Sequence, residues 1–80
     1  MEIGKKIMID KLTRELKTNE ENIEAVVFLC EEAKRILSEK YDPTEILLLS
    51  DEICFWEDRL QKHKFERRTL ILKMEKINDF

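Results

Sequence analysis

Two rows of mainly apolar positions, each stepping alternately by three and four, run through almost the whole chain. In the second half, counting from Asp42-Pro43, the row is Ile46, Leu49, Ile53, Trp56, Leu60, His63, Arg67, Leu70, Met74 and Ile77. In the first half it is Ile9, Leu12, Leu16, Asn19, Ile23, Val26, Cys30, Ala33 and Leu37. This spacing marks the seam along which one long helix packs lengthwise on another. Only Asn19 interrupts the first row, and only His63 and Arg67 interrupt the second. No stretch alternates apolar and polar residues long enough to read as a strand.

The rows are separated by one strong punctuation mark, Tyr41-Asp42-Pro43-Thr44-Glu45. Asp42 can accept from the orphan N–H groups of a following helix, and Pro43 suits the first helical position because its missing N–H costs nothing there. Glu45 falls where it can reach back toward the cap and favour the positive helix end. Proline disfavours helical geometry in the residue before it, so the preceding helix stops near Tyr41. Thr18 with Glu21 also fits a capping pattern. Heptad phase nevertheless survives across residues 17–22, which predicts one continuous first helix.

The predicted fold is therefore all-α: a long antiparallel helical hairpin with arms at about 4–40 and 43–78 and a turn at 41–43. Each arm is about 50 Å long at ~1.5 Å per residue. The whole chain, 1–80, forms one helical domain. A bend centred on Asp42 sets residues whose numbers sum to about 84 at the same level. Asn19 then falls between His63 and Arg67, so the single polar position of one seam meets the polar pair of the other. A lone buried polar layer of this kind fixes register by penalising slipped pairings, at some cost in stability. His63 is the only histidine, so pH-dependent association would trace to it.

The seams use only part of the apolar content, which is 42% of the chain. Val27, Phe28, Leu29, Ile36, Leu47, Leu48, Phe55, Ile71 and Leu72 lie outside them. A helix that is hydrophobic all round belongs inside something. These nine residues are the expected interface. The hairpin is expected to form a homodimer, as a four-helix bundle or coiled-coil assembly, or to pack on another protein's helices.

Composition narrows the function classes. Eighty residues leave little room for a catalytic cleft and its support. One Gly, one Pro and 41% charged residues fit long amphipathic helices. A net charge of −3 gives no general reason for nucleic-acid binding. Residues 59–68 do hold Arg59, Lys62, Lys64, Arg67 and Arg68, the basis of a reading as a dimeric RNA-binding regulator. Glu20, Glu21 and Glu24 lie at the same level of the other arm, so the charges also fit flanking ion pairs. No segment approaches the length and apolarity of a membrane span, and the Met1 end lacks an apolar core with a cleavage site. Two cysteines without metal-like spacing suggest reduced thiols in the cytoplasm, as small core residues.

Enzyme chemistry finds few residues. Glu21-x-x-Glu24 and Glu39-x-x-Asp42 resemble the carboxylate pairs by which helical nucleotide pyrophosphohydrolases hold magnesium, but Asp42 is already accounted for as a cap. No Glu-x-x-His pair suits a di-iron bundle, and no Ser, His and Asp grouping suits acyl transfer. No cofactor or metal is expected. Ser50-Asp51-Glu52-Ile53-Cys54 resembles the Ser-Gln-Glu-Leu-Asp motif of aspartyl-phosphate phosphatases acting on the sporulation response regulator of bacilli. Ser50 and Glu52 match and Ile53 is conservative, while Asp51 and Cys54 depart from it. The resemblance implies a small regulatory phosphatase or binder of a response regulator, with Ser50 to Ile53 against its phosphorylated domain. The composition itself favours a non-enzymatic protein-interaction module: an adaptor, inhibitor or assembly subunit.

Overall fold

Asp42 sets the architecture. Its backbone is extended (φ −75°, ψ 122°), its carboxylate Oδ1 accepts the Thr44 N–H at 2.8 Å, and its carbonyl accepts from Ile46 N at 3.0 Å. With Pro43 at the first position, this cap starts a helix in which each following residue adds one hydrogen bond. Glu45, expected to reach back to the cap, instead pairs with Lys40 at 3.5 Å and ties the two arms together beside the turn.

The computed structural model describes residues 2–40 and 42–79. Helix α1 spans Glu2–Glu39 and helix α2 spans Pro43–Asn78. Tyr41, next to the expected end of the first helix, lies outside the described residues. Helix α1 runs without a break through residues 17–22. Heptad phase therefore outweighs the capping pattern at Thr18. Near the turn, the Lys40 N–H bonds to the Leu37 carbonyl at 3.2 Å and closes the last turn. The two helices form an all-α hairpin with extents of 62 × 14 × 12 Å.

The seam lies where the heptads put it. Leu12, Val26, Cys30 and Ala33 of α1 and Ile53 of α2 are its buried apolar residues, with Asn19 the one buried polar side chain among the described residues. Ile9, Leu16, Ile23, Leu37, Leu49, Trp56, Leu60, Leu70, Met74 and Ile77 are half-buried along it. Ile46, next to the turn, is exposed because α1 ends opposite it. No large side chain among the described residues is fully enclosed. A two-helix hairpin has one shared stripe and no second layer, so even its central residues keep an edge in contact with solvent.

Candidate interaction surface

A polar layer interrupts the apolar seam and joins the two helices by hydrogen bonds. Asn19 Nδ2 donates to the His63 carbonyl at 3.0 Å and to Glu66 Oε2 at 3.5 Å. Asn19 Oδ1 and His63 Nδ1 are both buried without a hydrogen-bond partner in the protein. His63 Nδ1 does lie 3.4 Å from Glu66 Oε2, so it forms an ion pair there once the ring is protonated. Arg67, the third residue expected in the layer, sits at its rim. Its side chain is half-exposed and its Nε lies 3.5 Å from Glu20 Oε1. The reason is reach: a long side chain covers the seam with its stem and keeps its guanidinium in water. Glu66, outside the heptad row, takes the place beside Asn19.

The nine residues expected at an interface divide among different sides of the hairpin. A groove lined by Glu15, Thr18 and Asn22 of α1 and by Glu66, Thr69 and Lys73 of α2 fixes which helix edges share a face. Continuing by sevens, Glu15 and Asn22 lead to Leu29 and Ile36, while Thr69 leads through Lys62 to Phe55 and Leu48. Residues seven apart share a helix side. Leu29, Ile36, Leu48 and Phe55 therefore lie together on one face, in its turn-proximal half. The opposite face carries Val27 and Ile71, both half-buried, in grooves that also hold Glu20, Lys34, Glu57, Lys64 and Arg68. Leu47 and Leu72 are exposed on that side. Phe28, two residues from both buried Val26 and buried Cys30, points away from the seam.

Of these surfaces, the Leu29–Phe55 face is the best organised. The Phe55 ring packs edge-on against Trp56 with centroids 5.0 Å apart, and the Arg59 guanidinium lies 5.5 Å over it. Trp56 Nε1–H in turn donates to Glu52 Oε1 at 3.4 Å. The aromatic pair is thus tied into one cluster by an edge-to-face contact, a cation–π contact and a hydrogen bond. Leu48 and Phe55 on this face remain 64% and 54% exposed.

The remaining chemistry is sparse. Ile53 is buried in the seam, so within Ser50–Cys54 it is closed to any partner, while Glu52 is exposed and engaged by Trp56. Cys54 is exposed rather than a core residue, because it falls outside the seam. Cys30 is buried and free. Burial pushes its thiol up, and the Glu57 carboxylate nearby adds to the effect. Glu39 pairs with Arg35, and no group of three His, Cys, Asp or Glu among the described residues could hold a metal ion. No described helix is long and apolar enough to cross a membrane. Comparisons of the chain with protein-family models, with curated proteins and with solved structures give no match.

Proposed function

We propose that this chain is a non-enzymatic helical interaction module that associates through an apolar face rather than performing chemistry. The carrying observation is the Leu29, Ile36, Leu48 and Phe55 face, with its fixed Phe55–Trp56–Arg59 cluster, on a hairpin whose own core is thin. Aromatic and arginine side chains set around a desolvated centre are what concentrates binding energy at protein interfaces. The partner is a helical protein surface, a second copy included, met in the cytoplasm, where the free thiols stay reduced.

The basic run of α2 supports the same reading over a nucleic-acid one. Lys64, Arg67 and Arg68 share their groove with Glu20 and Glu24, and Arg67 is paired with Glu20. Interleaved acids weaken the continuous positive surface that phosphate binding needs. The test is isolation of the full tagged chain from its source cell beside the Phe55→Glu and Leu48→Glu variants. The wild type should bring down a second copy or another protein that both variants lose. A chain recovered alone, sedimenting as a folded monomer, would contradict the proposal.

A further inference from the structure

The hairpin exposes more surface than a folded chain of its mass should. Its accessible area is 6631 Å², whereas a compact monomer of 9.7 kDa exposes about 5,100 Å². The excess, about 1,500 Å² per chain, would amount to about 3,000 Å² buried between two copies, within the range of obligate homodimers.

We propose that a second copy of this chain covers the Leu29–Phe55 face, with the turns of both hairpins at the same end of a four-helix bundle. This rests on the interaction reading above and names its partner. The two-fold axis then runs parallel to the helices and sets α1 of one copy antiparallel on α2 of the other, level for level. The Asn19–His63 hydrogen bond at 3.0 Å and the Lys40–Glu45 ion pair at 3.5 Å define those levels. They place Leu29 at the height of Phe55 and Ile36 at the height of Leu48. Apolar therefore meets apolar twice, once on each side of the axis. Farther from the turn, Glu15 of one copy comes opposite Lys73 of the second copy, so charge complements charge as well.

Other packings of the same face fit less well. With turns at opposite ends and full overlap, α1 lies on α1 of the second copy, and Leu29 and Ile36 face the polar half that holds Glu15. Overlap of the turn-proximal halves alone keeps the apolar contacts but covers far less of the excess area.

Two single spin labels separate these arrangements in the full-length chain with Cys54→Ser, where buried Cys30 stays unlabelled at neutral pH. One label is placed through Thr44→Cys near the turn, the other through Glu75→Cys near the far end. Neighbouring helices 8–10 Å apart put diagonal partners about 14 Å apart, so labels at either site should be within about 30 Å in the dimer. Two short distances support the proposal. Two distances approaching the 62 Å hairpin length indicate opposed turns, and one short with one long indicates partial overlap; either overturns it. A monomeric mass with no label coupling also overturns it. In that case, an apolar fluorescent probe bound by the wild type and lost with Phe55→Glu would leave the broader interaction reading standing, and no such binding would end both.

Discussion

Asn19 and His63 meet across the hairpin, the Asn19 amide donating to the His63 carbonyl at 3.0 Å from a position that is 95% shielded from solvent. The bond crosses forty-four residues of sequence and allows one register. It also leaves Asn19 Oδ1 without a protein donor in the seam. The layer thus trades stability for alignment, because a buried acceptor without a partner costs ~1–3 kcal/mol.

Replacing Asn19 with leucine removes that cost and continues the apolar row. Asn19→Leu is expected to raise the urea-unfolding free energy by about 1–2 kcal/mol while loosening register. The loosening should show as doubled or broadened amide resonances around His63 and Glu66. A destabilised variant with one sharp set of resonances would mean that the layer holds the fold rather than aligning it.

The two thiols should behave differently. Near about pH 8, a thiol reagent should modify exposed Cys54 quickly and buried Cys30 only when the hairpin opens, since the thiolate is the reactive form. The raised Cys30 thiol also makes stability depend on pH. The folded state keeps a proton that the unfolded chain releases, so this contribution is complete below the ordinary thiol range. It is lost as pH rises through that range toward the raised value. Urea midpoints measured at neutral and alkaline pH should fall more steeply for the wild type than for Cys30→Ala. Equal slopes would remove Cys30 from the account.

The turn offers a separate measure. Asp42→Ala deletes the cap on Thr44 N–H and should cost about 0.5–2 kcal/mol of unfolding free energy, whereas Asp42→Asn, which keeps an accepting oxygen, should cost much less. Equal losses for the two would mean that the charge at the helix start, rather than the cap hydrogen bond, matters.

Much of this architecture can be read from residue spacing. A three-four row requires only local geometry, so the seam from Ile9 to Ile77 and the cap at Asp42-Pro43 are visible without coordinates. The Asn19–His63 pairing follows as well, because a tight turn fixes levels by simple counting. Arg67 falls in the same count, and its length lets the stem follow the seam while the guanidinium reaches Glu20 and water. The joining of Leu29 and Ile36 with Leu48 and Phe55 takes a further step. Each pair flanks its own seam, and antiparallel packing brings corresponding flanks onto one face, so the joining emerges only when the phases of both helices are combined.

The central claim is that this hairpin completes its core by association. Sedimentation equilibrium of the untagged wild-type chain, over a range of concentrations and with its helicity followed in parallel, tests it most directly. The account predicts a species of twice the 9.7 kDa chain mass, which dissociates when Phe55 is changed to Glu. A single 9.7 kDa species that stays helical and unfolds cooperatively on its own would contradict it.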